Sequence, residues 1–543
     1  MRTDCVTGVG VRSCDSKSES FRNRIVPKTA TLRRSPMNLI ATPSSARSIK
    51  VGSTFVFIAS IAAVMASLST QSPTAAESVA GPEREGARSM LGLDVMCVGA
   101  LPGVPLSLCF VPGTSAEEVN QVTQGLVAQW AQDLAERPAG EGDGGAAYYL
   151  GTRWALGGSS AQGAPVSLTW SMPADGLSVS DGLAGGAASP NNLNATFVTK
   201  FGSLEAGKSL IRQVFARWSE LSGVTYIETA DDNAAWGAAG STTRGEIRIV
   251  GRTFGSTGVL AYTYYPNNGD MVFVTSNSNY WSTANNNRYF RNVCSHEHGH
   301  GLGIAHVCPD NGTKLMEPFI TTAFDGPQPD DIRAVQRDYG DRNEPNDTVA
   351  TASGVLAASG TTSVTNQAID DNSDVDYFKF TATSGSTLSA SLTPQGPSSY
   401  LSGPQNADGS CSAGTAVLPL AVHNLVLSVY TGTNTTPIIV RDVTAAGGYE
   451  SISNLVLPTT GQYEIKVSST LLTDDTQSYA LVTSIVQAPV VVGDVDGNGR
   501  VDGADLGFIL AVWGPVNCGS VYDITGDCIV DGADLGVLLS NWT

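Results

Sequence analysis

Cys294–Cys308 reads CSHEHGHGLGIAHVC and holds four of the chain's five histidines. The fifth, His423, lies far downstream. Such crowding points to one shared task. His296 and His300 are four apart, which sets both rings on one face of a helix. Glu297 follows the first ring and can reach the same side. Gly301 and Gly303 break the helix, and Gly303 suits the left-handed backbone of a sharp turn. The chain then returns, and His306 offers a third ring nitrogen. Three neutral imidazoles with a fourth position open form the donor set of a catalytic zinc site. A Zn2+ cofactor is therefore expected on His296, His300 and His306, with Glu297 as the catalytic base toward water. His298, two residues from His296, points elsewhere on the helix. It is expected beside the site or in solvent, not as a ligand.

The rest of the chain sets the context. At 543 residues it is too long for one core, so about three or four domains are expected. The net charge of −19 hides an asymmetry: residues 1–50 hold ten Lys or Arg against three acids, which leaves −26 for the remainder. So acidic a body argues against nucleic acid and anionic membrane as partners, and it suits calcium. Val51–Leu68 is the one long apolar run, with Arg47 and Lys50 before it. Thr74–Ala76 and Ser78–Ala80 follow as small-residue cleavage sites. The pattern reads as a secretory signal peptide, with Met37 a candidate start and a membrane anchor the alternative reading. A secreted or cell-surface protein is expected, with no stable membrane span after signal removal. Seven of the nine cysteines follow the signal, and an exported chain should pair most of them. Close spacing suggests Cys97–Cys109, Cys294–Cys308 and Cys518–Cys528, with Cys411 left over. Spacing alone does not fix this connectivity.

Residues 1–80 are expected to be leader and signal peptide. Residues 81–147 read as a pro-segment or N-terminal extension with a helical stretch near Glu117–Leu134. From 148 the pattern becomes ordered. Pro165–Trp170 reads as a strand. Ser209–Leu221 places Leu210, Ile211, Val214, Phe215, Trp218 and Leu221 on one helical face, with Gly223 as its stop. Strand patterns follow at Val224–Glu228, Glu246–Val250, Gly258–Pro266 and Asp270–Val274, then a helix into the histidines. Pro329–Gly340 closes the unit as a helix with Pro and Asp in its first turn. The expectation for 148–341 is an α+β domain, a twisted mixed sheet plus an active-site helix. Arg342–Thr348, RNEPNDT, reads as a polar hinge. Residues 342–487 carry short Thr-, Ser- and Val-rich strands, the pattern of an all-β sandwich. His423 is expected to be an ordinary strand residue.

Residues 488–543 contain a repeat, VDGADLG, at Val501–Gly507 and Val530–Gly536. Asp494–Asp505, DVDGNGRVDGAD, fits a twelve-residue calcium loop. Its oxygens would come from Asp494, Asp496, Asn498, the Arg500 carbonyl, Asp502 and Asp505, with Gly499 at the turn. The second copy offers Asp523, Thr525, Asp527, the Ile529 carbonyl, Asp531 and Asp534. Thr525 and Cys528 depart from the pattern, so this loop should hold Ca2+ more weakly. An apolar helix follows each loop, giving a small α-helical paired calcium-loop module.

On these motifs the chain resembles the metzincin zinc proteases, and more narrowly the matrixins, across Pro165–Gly340. Lys314–Pro318, KLMEP, resembles the family's Met-turn and implies that Met316 lies beneath the metal. Gly258–Pro266 and Asp270–Val274 resemble the matrixin edge strand that pairs with substrate. Leu260 and Ala261 would then offer main-chain hydrogen bonds to an extended peptide. Three features depart. Val307 stands where matrixins usually carry Ser. No histidine lies between Gly251 and Phe273 for a second, structural zinc. No Pro-Arg-Cys-Gly latency motif is present. Glu344–Asp347 with Asp374–Phe380 resembles the pre-peptidase C-terminal domain. Paired loops ending in Asp resemble dockerin modules, which implies a cohesin-like receptor. Together the resemblances imply a secreted zinc endopeptidase acting on extracellular proteins or peptides. The alternative is a non-enzymatic, calcium-dependent adhesion or scaffold protein on the same frame. Intact ligands together with Glu297 favour the enzyme.

Overall fold

The computed structural model describes residues 95–98, 106–110, 148, 150–156, 161–180, 188–253, 259–278, 281–406, 410–471 and 473–543. The signal peptide and the Glu117–Leu134 helix lie outside the described residues. The first layer is an eight-stranded mixed sheet. Its strands are β1 (Val95–Val98), β2 (Leu106–Phe110), β3 (Val166–Ser171), β4 (Val224–Glu228), β5 (Ile247–Arg252), β6 (Val259–Tyr264), β7 (Met271–Val274) and β8 (Phe319–Ile320). The spatial order is β8-β1-β2-β6-β7-β5-β3-β4. β4, β3, β5 and β7 run parallel. From β6 onward the pairing is antiparallel out to β8.

Among the described residues four helices accompany the sheet: α1 (Leu193–Phe201), α2 (Leu204–Leu221), α3 (Ala284–Gly301) and α4 (Pro329–Tyr339). The periodic face of α2 is buried at Leu210, Ile211, Val214, Phe215, Trp218 and Leu221, as its 3.6-residue spacing predicts. Ser203 caps it by accepting from Ala206 N–H at 3.0 Å. α3 opens on Asn285, Asn286 and Asn287 in left-handed backbone, which asparagine tolerates, and then runs as regular helix through the histidines.

Three expectations fail here. The strand bearing Leu260 and Ala261 is not an edge. β2 pairs along it, with Leu106 opposite Tyr264, Leu108 opposite Tyr262 and Cys109 opposite Ala261. An open edge is a template for pairing, and the chain's own N-terminal segment fills it. Nor is Cys294 bridged to Cys308. Cys294 is a buried free thiol, and Cys308 pairs with Cys411, 103 residues on. Proximity in sequence misled, because Cys294 sits inside α3 facing the core. Cys518–Cys528 is bridged, and the register sets Cys97 opposite Cys109.

The third failure is the hinge. Asp341 and Asn346 are fully buried. Asp341 accepts from Asn343 and Ala368 N–H at 2.7 and 3.0 Å, and Asn346 C=O accepts from Tyr377 N–H at 2.9 Å. The segment is thus tied to the following domain at Asn346, while Arg342, Pro345, Asp347 and Thr348 stay exposed. Burial first, then repulsion from Asp374, pushes Glu344 up to about 9.

Beyond this segment lie β9 (Gly360–Ile369), β10 (Asp376–Ala382), β11 (Thr387–Pro394), β12 (Tyr400–Ser402), β13 (Thr415–Val417), β14 (Leu425–Thr431), β15 (Ile439–Arg441), β16 (Glu450–Val456), β17 (Gly461–Ser469) and β18 (Gln477–Val486). Two four-stranded sheets, β9-β18-β11-β16 and β10-β17-β14-β15, enclose a core that includes Phe378, Leu388, Leu427, Ile465 and Tyr479. β12 and β13 form a separate hairpin. His423 is not in a strand; it is buried in the turn before β14, with Nε2 against Asp475 C=O at 2.7 Å. α4 binds this domain to the first layer. Arg333 pairs with both oxygens of Asp475 at 2.8 Å, Ser402 donates to Asp330 at 2.9 Å, and Ser478 donates to Gln336 at 2.8 Å.

The C-terminal segment adds α5 (Gly503–Ala511) and α6 (Gly532–Ser540) around Val501, Ile509, Val530 and Leu538. Asp502 and Asp531 cap these helices, with Asp505 and Asp534 completing capping boxes. Among the described residues, no helix is long and apolar enough to cross a membrane.

Candidate active site

α3 carries His296, Glu297 and His300, and the turn after it carries His306. The turn needs Gly303, whose φ is +103° and whose missing side chain leaves room for Thr152 C=O. Trp154 Nε1–H donates to Gly301 C=O at 2.7 Å, and Tyr339 O–H to Leu302 C=O at 2.8 Å, which pins the helix end.

The three Nε2 atoms stand 3.1 Å from one another. Each Nδ1 faces an acceptor: Leu315 C=O at 2.6 Å for His296, Ile304 C=O at 2.7 Å for His300, and Gln405 Oε1 at 3.0 Å for His306. A carbonyl oxygen only accepts, so each Nδ1 holds the ring proton and each Nε2 is bare. Three bare lone pairs converging in a buried site repel unless a cation sits among them. Tetrahedral Zn–N bonds of about 2.0–2.1 Å put ligand nitrogens about 3.3 Å apart, so the triangle fits zinc. Burial keeps the rings neutral: it lowers His296 to about 4 and His306 to about 3, and together with repulsion from those two rings it lowers His300 well below the usual imidazole range.

Glu297 is buried; one oxygen accepts from Thr263 O–H at 3.0 Å, while Oε1 has no partner. Burial raises its carboxyl to about 8. His298 is no ligand and not in solvent. It is buried against Phe215 and Trp218, with Nε2 on Tyr226 O–H at 2.5 Å. Met316 is buried, and its sulfur occupies the space a side chain at Gly299 would need. Asp331, in the first turn of α4, accepts from Leu315 and Met316 N–H at 2.8 and 3.0 Å and so holds that turn. Val307 is core, and its N–H donates to Met316 C=O at 3.0 Å. Two further residues at the site, Thr263 and Gln405, lie outside the histidine motif. Thr263 had a signal, since it lies on the same face of β6 as Ala261. Gln405 had none.

In the C-terminal loops, carboxylate oxygens of Asp494, Asp496 and Asp505 lie within 4.8 Å of one another. In the second loop Asp523 and Asp534 accept backbone N–H groups from Gly526, Cys528, Thr525 and Asp531. Gly499 (φ +86°) and Cys528 (φ +70°) hold the equivalent left-handed position.

The Matrixin (Peptidase_M10) family model matches residues 193–340. The hatching enzyme of Paracentrotus lividus is 31% identical over 159 residues, 26% of this chain and 24% of that protein. Matrix metalloproteinase-18 of Xenopus laevis is 30% identical over 144 residues, 25% of this chain and 30% of that protein. The interstitial collagenase of Equus caballus is 28% identical over 138 residues, 25% and 28% of the two chains. The chain thus spans about a quarter of the length of these curated relatives. Among solved structures, the pre-peptidase C-terminal domain of a Bacillus anthracis collagenase aligns over 25% of this chain and 94% of its own at 8% identity, with a TM-score of 0.15.

Proposed function

We propose that the chain is a secreted zinc endopeptidase that hydrolyses peptide bonds of extracellular proteins. The triangle of bare Nε2 atoms beside a buried carboxylate carries this reading. A zinc ion held by His296, His300 and His306 would lower the pKa of a water and polarise a peptide carbonyl. Glu297 takes the proton of the attacking water on its open Oε1 and passes it to the leaving amine. Thr263 engages the other oxygen of that carboxylate and leaves Oε1 open.

In this reading the peptide binds as an added strand on β6, through Leu260 and Ala261. β2 holds that position and β1 pairs with β8 beyond the Met-turn. Residues 81–147 then act as a pro-segment, and latency comes from strand occupancy instead of a Pro-Arg-Cys-Gly motif. A chain begun at Tyr148 should digest casein, a zinc chelator should stop it, and the full chain should digest it far more slowly. Equal rates would remove the pro-segment reading. No digestion by either form, with zinc bound, would remove the peptidase reading.

The C-terminal module is proposed to bind Ca2+ through the two loops, more tightly in the first, where three carboxylates converge. Calorimetry should register two binding events of unequal affinity, and Asp494→Ala should remove the stronger. No heat on calcium addition would refute the assignment. Exposed Phe508, Leu510, Trp513, Leu539 and Trp542 support a docking role toward a cohesin-like receptor.

A further inference from the structure

We propose that the β-sandwich is a working part of the metal site, with Gln405 as a positioning residue for the third zinc ligand. The inference rests on the zinc-peptidase reading above. The outer nitrogens of His296 and His300 are held by main-chain carbonyls of the catalytic layer itself. His306 differs: its outer nitrogen is held by a side chain 99 residues downstream, on a loop of the other domain. The amide oxygen of Gln405 accepts the Nδ1 proton and leaves Nε2 bare toward the metal position. The opposite amide orientation would force a proton onto Nε2, aimed at the other two ligands.

The loop that delivers Gln405 is fixed at several points. Cys308 N–H donates to Gly403 C=O at 2.6 Å, and Gln405 N–H to His306 C=O at 3.4 Å. Val307 and Pro404 form a β-bridge. The Cys308–Cys411 disulfide closes the far side. Just before the loop, Ser402 is tied to Asp330 on α4. His306 therefore has two supports, its own turn and a strap from the neighbouring domain. Partners that orient a metal-bound histidine fix its tautomer and raise its basicity, and their loss typically weakens metal binding by about 10–100-fold. A catalytic layer parted from its sandwich would hold zinc poorly, so the sandwich stays with the working enzyme.

The test uses the full chain with two substitutions of similar length. Gln405→Met removes the acceptor, and Gln405→Glu keeps one. Zinc affinity is read by chelator competition, and ligand geometry by the visible spectrum of the cobalt-substituted protein. Gln405→Met should weaken zinc by about 10–100-fold and shift the cobalt bands. Gln405→Glu should hold zinc at least as tightly as the wild type. Wild-type affinity and spectrum in Gln405→Met would overturn the proposal, as would loss of zinc in a folded Gln405→Glu protein. A wild type that binds no zinc would instead overturn the zinc reading on which it stands.

Discussion

Glu297→Ala should keep its three imidazoles and its zinc while losing peptide hydrolysis by about 10²–10⁴-fold, the usual worth of a positioned general base. The carboxylate lies on α3 between His296 and His300 but belongs to no group of converging ligand atoms, whereas the three histidines do. One oxygen is engaged by Thr263 and the other is open. Burial raises its pKa to about 8, which marks a site where ionising the group is costly without a cation nearby. Alanine suits a helix interior and relieves that cost, so the fold should persist. Metal analysis with peptide-cleavage rates decides the matter. Wild-type turnover in the variant would exclude Glu297 as the base. Loss of zinc would make it part of the metal shell.

Arg333→Ala should destabilise the protein by about 3 kcal/mol, the lower end for breaking a buried ion pair, because Asp475 retains 24% of its side-chain exposure. Arg333 is the bolt of the domain seam. Its Nε donates to Thr476 C=O at 2.9 Å, one terminal nitrogen to Tyr400 O–H at 2.6 Å, and the other to both oxygens of Asp475. Tyr148 stacks against the guanidinium, its ring centre 5.4 Å away. All these partners lie outside the catalytic layer's own helices, so alanine strands several acceptors at once. Calorimetry should resolve two unfolding transitions where the wild type shows one. Zinc affinity should fall too, since Tyr400 starts the strand that leads to Gln405. An unchanged midpoint with one transition would mean that the seam is held by other contacts.

The residues that form the candidate site were legible because they are local. His296, Glu297, His300, Gly303 and His306 fall within eleven residues, and helix pitch plus one left-handed turn bring them together. The apolar face of α2 was legible for the same reason, a period of 3.6. Local pattern was weakest where one segment's fate hung on a distant one. RNEPNDT reads as a hinge because it is polar, yet Asn343 donates to Gln367 and the Asn346 carbonyl accepts from Tyr377 N–H, strand residues 24 and 31 positions on.

The amino-acid sequence by itself brought out three histidines that could hold a metal, the carboxylate beside them, and the run of elements from α2 to α3, since each depends on spacing along a few turns of backbone. Only the tertiary structure decided that β2 covers the strand of Leu260 and Ala261, that Cys308 bonds to Cys411, and that Gln405 steadies His306. Those pairings join segments separated by roughly 100 residues or more. Such contacts are selected by packing of whole domains, which no local period records.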